Sequence, residues 1–293
     1  MTRRAALLAA SCVLTLVMAA TTVHAQGAPP PLSLLPRDGR TLSREDAVRL
    51  EAHLEQNPED LPGRARLLGY YFYRSLAVSG PAATHDARRR HILWLIQHHP
   101  ESELAGTSEV TIDPVGHALA DPEGYRVAKA AWLLRMEARK ADRAVLRHAA
   151  KFFTLPDKEL AERALQAGQA TAPATGEWTH QLGYVYALGI MGIDGLNQNG
   201  LPTSVNAREP SGPFAQKARA ALLASTDVAQ LAVAGGILTQ YGAMIRGMGL
   251  TREDHLVLAE ALLKKGLALA PGHPEITENL KQLEEFRRML KGK

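Results

Sequence analysis

Apolar residues recur at helical intervals along most of the chain. Ala161, Leu165 and Gly168 fall at i, i+4 and i+7, which puts them on one face of a helix over AERALQAGQATAP. Pro173 ends that helix, because proline cannot continue the hydrogen-bonded ladder. Upstream, DRAVLRHAAKFFTL forms a partner helix with Ala149 and Phe152 three apart, and Asp157 is placed to start the second. Comparable patterning predicts helices over PEDLPGRARLLGYYFYR, THDARRRHILWLIQHHP, PEGYRVAKAAWLLRMEAR, EWTHQLGYVYALG, FAQKARAALLAST and DVAQLAVAGGILTQYGAMI. A further helix, SREDAVRLEAHLEQ, opens on Ser43-x-x-Asp46, which can cap it much as a capping box does. The final HPEITENLKQLEEFRRMLKGK is a charged helix whose polar face suits a terminal cap over 274–291. One long interruption, 189–213, is rich in Gly, Asn and Pro and reads as a loop between a helix ending near Leu188 and one starting near Phe214.

Two of these segments nearly repeat each other. AERALQAGQATAP, 161–173, and AEALLKKGLALAP, 259–271, share seven of thirteen residues in register. Ala161, Leu165, Gly168 and Pro173 thus correspond to Ala259, Leu263, Gly266 and Pro271. A fixed pattern that recurs along a chain is the signature of repeat architecture. Small residues on the shared face let a neighbouring helix approach closely.

The interval between helices completes the pattern. Gly183 lies 34 residues after Ala149, and Tyr186 lies 34 after Phe152. With Leu182-Gly183-x-x-Tyr186 in a first helix and Ala…Pro in a second, this resembles the tetratricopeptide repeat. The resemblance implies an all-α fold, a right-handed α-solenoid of antiparallel helix pairs with long loop insertions. Gly183 is then the close-contact position, and Trp178 and Tyr186 pack between helices rather than hold a ligand. Trp178 stands one residue nearer the Leu-Gly pair than the strict arrangement has it. Leu68-Gly69-x-x-Phe72 repeats the first-helix motif, but the following loop is long and Arg88 occupies the small-residue position. Ala218 and Leu222 match the second-helix spacing. The implied domain covers 42–293, with repeats near 58–100, 122–141 (partial), 142–174, 176–226 and 228–272.

The N-terminal residues change the address. Arg3 and Arg4, an apolar run from Ala5 to Ala20 and Val23-His24-Ala25 read as a secretory signal over 1–25, cleaved before Gln26. A proline-rich leader, 26–41, flexible or extended, follows. Cleavage removes the only cysteine, Cys12, and with it disulfides, thiolate catalysis, Cys-ligated zinc and c-type haem. It also lowers the formal charge from +4 to +2, which is no nucleic-acid footprint. The expected product is periplasmic or secreted and is not an integral membrane protein once processed. Hydrophobic residues make up 46% of the chain and aromatics only 5%, a balance that favours Ala- and Leu-rich helices over strands.

Candidate chemistry is sparse. His85, His91, His98 and His99 cluster, and His91 and His98, seven apart, share a helix face, but no H-E-x-x-H occurs and no carboxylate sits at a familiar offset. DGLNQNG places Asn197, Asn199 and Gly200 at calcium-loop positions, yet Gly195 and Asn206 stand where the first and last carboxylates belong. No nucleophile elbow, P-loop or dinucleotide fingerprint occurs. The sequence therefore predicts no catalytic residue, cofactor or metal. The favoured reading is a non-enzymatic scaffold that binds an unidentified protein or peptide on a concave helical groove. The alternatives are a small-ligand binder with its pocket between the Tyr70–Tyr73 helix and the Trp94 helix, and an envelope enzyme with 189–213 as a lid.

Overall fold

The computed structural model describes residues 30–115, 118–173, 176–196, 202–205, 212–247, 249 and 255–291. The secretory segment 1–25 and leader residues 26–29 lie outside them. From Leu32 onward the chain is one unit, and it is mostly helical.

The first element is a 3-10 helix, Leu32–Thr41, followed by α1 (Arg44–Gln56), α2 (Leu61–Tyr73), the single-turn α3 (Ser75–Ser79) and α4 (Pro81–His98). Two short 3-10 turns, Glu103–Gly106 and Ser108–Val110, lead to α5 (Pro122–Ala138). Next come α6 (Arg143–Phe153), α7 (Lys158–Thr171) and α8 (Glu177–Met191). Strands β1 (Ile193–Leu196) and β2 (Pro202–Val205) pair antiparallel, with Ile193 opposite Val205. The chain closes with α9 (Pro213–Ala224), α10 (Val228–Gly247), α11 (His255–Leu269) and α12 (Pro274–Lys291).

Side-chain caps explain where the helices begin. Ser43 and Asp46 form the capping box of α1, with Asp46 N donating to Ser43 Oγ at 3.0 Å. Aspartates cap α2, α5, α6 and α7 through Asp60, Asp121, Asp142 and Asp157. Each accepts backbone N–H groups of the first turn that have no intrahelical partner. At the other end of α8, Gly192 adopts a left-handed conformation (φ 66°) and turns the chain into β1.

The helices with extensive mutual contact are neighbours or next neighbours in the chain: α6 with α7, α7 with α8, α8 with α9 and α10, and α10 with α11 and α12. Trp132, Phe153, Leu165 and Trp178 are among the largest fully buried side chains of the main core. Val228–Arg246 is one helix long and apolar enough to cross a membrane, but most of it is buried against α8, α11 and α12.

Two expected boundaries shift. Leader residues 32–41 are neither extended nor a free linker. They form the 3-10 helix, which lies backbone to backbone on α2. A Cβ on Gly69 would stand 1.8 Å from Pro36 O, and one on Gly39 would stand 2.3 Å from Tyr70 N. The small residue at 69 therefore receives the leader rather than a neighbouring repeat. The loop at 189–213 also begins later than its composition suggests. Ile190, Met191 and Ile193 have no solvent exposure and belong to the main core. The apolar residues of GIMGI, not its glycines, decide that α8 continues to Met191.

Candidate functional site

The helix seams decide which side chains remain for a ligand. Ala149, Phe152, Ala161, Leu165, Leu182, Tyr186, Ala218, Leu222, Ala259, Leu263 and Leu68 are all buried. Phe152 stacks on Tyr125 with ring centroids 5.8 Å apart. Phe72 is half-buried, with the Arg88 guanidinium 5.4 Å from its ring centroid. Pro173 and Pro271 are exposed just beyond α7 and α11. Trp178 is fully buried, and its ring lies over Gly168, where a Cβ would meet the indole at 2.4 Å. Gly266 lies against Ile276 in the same way, with Cδ1 at 2.8 Å from a would-be Cβ. Trp178 follows Gly168 by ten residues, as Ile276 follows Gly266. Gly183 faces α10, where a Cβ would stand 2.5 Å from Val233 Cγ1 and 2.6 Å from Gln230 O.

The glutamates of the two A-E-x-x-L motifs act as ties. Glu162 is buried, accepts from the Tyr186 hydroxyl of α8 at 2.8 Å and is ion-paired with Lys217 of α9. Burial, reinforced by this carboxylate, pushes the Tyr186 hydroxyl pKa up. Glu260 pairs with Arg287 of α12 and with Lys264, and those hydrogen bonds lower its carboxyl pKa. Both motif glutamates thus join their own helix, α7 or α11, to a later one. The motif contained this signal, but only the structure supplies the partners.

A second polar group fills the space between α2 and α4. Arg64 stacks on Trp94 at 3.5 Å and donates from Nη1 to His91 Nδ1 at 2.9 Å. A guanidinium has no acceptor, so Nδ1 is unprotonated and Nε2 carries the proton given to Glu51 Oε1 at 2.9 Å. Tyr71 donates to the same Glu51 oxygen at 2.5 Å. Burial alone raises the Glu51 carboxyl pKa, but His91, Tyr71 and Arg90 outweigh it and leave it lowered. A carboxylate-oriented imidazole is a general-base arrangement. Here its basic nitrogen is occupied by Arg64 and the ring is buried, so it has no access to a substrate. The same group occupies the space where a small-ligand pocket between these helices was expected.

Arg88, the residue that broke the small-residue pattern, is wholly buried and donates to Glu109 O and Thr111 O at 3.2 and 2.8 Å. Burial lowers its pKa to about 10, which leaves it cationic at neutral pH. It fastens the segment between α4 and α5 to α4 itself. The hairpin of the insertion meets the α6–α7 turn through Asp194, which pairs with Lys158 at 3.3 Å. Beside it lies a cleft of about 280 Å³ lined in part by Val115, Leu155, Asp157, Lys158 and Phe214. Its Asp157 caps α7 and pairs with Lys129 at 2.6 Å. Glu159 and Asp194 line it as well, so its lining holds three carboxylates and Lys158, with Asp194 and Asp157 each engaged by a lysine.

The clustered histidines take separate partners: His85 meets Ala118 O, His98 meets Trp94 O and His99 meets Glu59 at 2.7 Å. Among the described residues no three His, Cys, Asp or Glu side chains are grouped to hold a metal ion. Asn197, Asn199, Gly200 and Asn206 of the calcium-like stretch lie outside the described residues. Comparison with family models, with curated proteins and with solved structures finds no match for this chain.

Proposed function

We propose that this chain is an exported, non-enzymatic interaction scaffold of tetratricopeptide-like helix pairs, which binds a protein or peptide segment along its helical surface. The observation that carries the reading is the recurrence of one seam. Gly168 with Trp178, and Gly266 with Ile276, join a second helix to the first turn of the next at equivalent positions. A unit that packs on its neighbours in this way builds a stack, and a stack presents repeated helix faces rather than one enclosed site. Among the buried ionisable groups, Arg64, Arg88, His91 and Glu162 are each engaged by neighbouring protein groups, which is in keeping with a structural role for them.

The test is affinity capture from the source organism's envelope fraction, followed by reconstitution of the captured protein with the purified chain. A saturable complex of defined stoichiometry is expected. Failure of every captured protein to rebind the purified chain would contradict the reading. Processing is read from the N-terminus of the exported product, which is expected at Gln26. An intact Met1 would overturn the secretory assignment.

A further inference from the structure

A groove between α4 and α5 is lined by Gln97, His98, Ala131, Leu134 and Arg135 and encloses about 280 Å³. That is just under the range of pockets that hold whole small ligands, and it suits one or two side chains of a peptide. Leu134 is 71% exposed, the most exposed large apolar residue among those described. Next to it, the half-buried Arg135 has no ion pair among the described residues. Arg139, which caps the C-terminal end of α5, is paired with Glu101 at 2.7 Å. No carboxylate is among the described residues that line the groove. On its α4 side the His98 ring stacks on Trp94, with centroids 4.7 Å apart, and donates to Trp94 O.

The apolar and cationic groups stand side by side, and a single occupant satisfies both. We infer that this groove docks a partner segment that carries a carboxylate beside an aliphatic or aromatic side chain. The carboxylate pairs with Arg135, whose planar guanidinium accommodates two carboxylate oxygens at once. The apolar side chain covers Leu134 and Ala131. An acid at the matching position distinguishes this occupant from a purely apolar or a basic one, which leaves the guanidinium unpaired as its water is displaced. The inference deepens the scaffold reading and rests on it.

The probe is a phage-displayed random dodecapeptide library selected on the full chain, with the enriched peptides synthesised. Binding is followed by tryptophan fluorescence, because Trp132 and Trp178 are fully buried and Trp94 borders the groove. Enriched sequences are expected to pair Asp or Glu with Leu, Ile or Phe. Arg135→Gln and Leu134→Ser are each expected to weaken them about tenfold with unchanged thermal melting, and Arg135→Lys to weaken them less than Arg135→Gln. The inference is overturned if no sequence enriches, if the enriched sequences lack an acid, or if they bind Arg135→Gln unchanged. A partner reconstituted from the envelope that binds the Leu134→Ser/Arg135→Gln double variant undiminished also overturns it, while leaving the scaffold reading in place.

Discussion

Gly168→Ala is the smallest change that tests the seam. In a helix interior the substitution normally stabilises by about 1 kcal/mol, because alanine loses less backbone entropy. At Gly168 the new methyl would lie 2.4, 2.5 and 2.6 Å from Cζ3, Cη2 and Cε3 of Trp178. Carbon atoms rest at about 3.5–4.0 Å, so the ring and helix must part by roughly 1 Å. Trp178 is fully buried and cannot swing into solvent. Overpacking of this kind costs about 1–3 kcal/mol, so the net loss is about 1 kcal/mol after the helix-propensity gain. At Gly266 the nearest obstacle is the end of the Ile276 side chain at 2.8 Å, a methyl that can rotate away. Gly266→Ala is expected to lie between neutral and a loss of about 1 kcal/mol, always milder than Gly168→Ala. Urea unfolding followed by far-ultraviolet circular dichroism measures both. In a Trp178→Leu background the Gly168→Ala penalty should disappear and the propensity gain emerge, a coupling that a double-mutant cycle reads directly. Stabilisation by the full propensity increment in the Trp178 protein would refute the packing of this seam.

Three further outcomes follow from the same contacts. Replacing 195–211 with a short Gly-Ser linker should keep helical circular dichroism and most of the stability, since loop length changes closure entropy slowly. Replacing 189–213 should cost several kcal/mol because it removes the buried Ile190, Met191 and Ile193; equal stability of the two deletions would contradict the boundary. Arg88→Met should leave the Glu109 and Thr111 carbonyls without their donor, at about 1–3 kcal/mol each, and raise amide hydrogen exchange across 103–121; unchanged exchange there would sink this assignment. His148 is buried and its pKa is lowered, chiefly by that burial and against the raising effect of the Pro100 carbonyl. The unfolded chain therefore binds the proton first. Its contribution to stability falls as pH drops through the ordinary histidine value of about 6.5 and levels off below the depressed native pKa. His148→Gln should flatten the pH dependence of the urea midpoint over that window, and an unaltered slope would count against it.

The helices were legible because their punctuation is local. Ser43-x-x-Asp46 carries its own capping box, and Pro173 and Pro271 stand just beyond the ends of α7 and α11. The 3-10 helix at 32–41 was not legible. Proline and glycine there suggest a flexible or extended leader, whereas what orders it is the close approach of Gly39 to α2, a contact across some thirty residues. Arg88 looked like a defect in a repeat because nothing local reveals the two carbonyls that hold it. The Leu134–Arg135 groove was missed for a similar reason. A leucine at helical spacing reads as core, and only the packing of α4 beside α5 leaves Leu134 outside.

Site-specific photocrosslinking in the source organism tests the scaffold claim most directly. A photoreactive residue is placed in turn at Leu134 in the α4–α5 groove and at Val48 and Met289, which are exposed on α1 and α12. The account predicts a discrete protein adduct from position 134, recovered from the envelope and reduced by adding Arg135→Gln. Absence of an adduct at all three positions, in cells where the protein is present and folded, would contradict it.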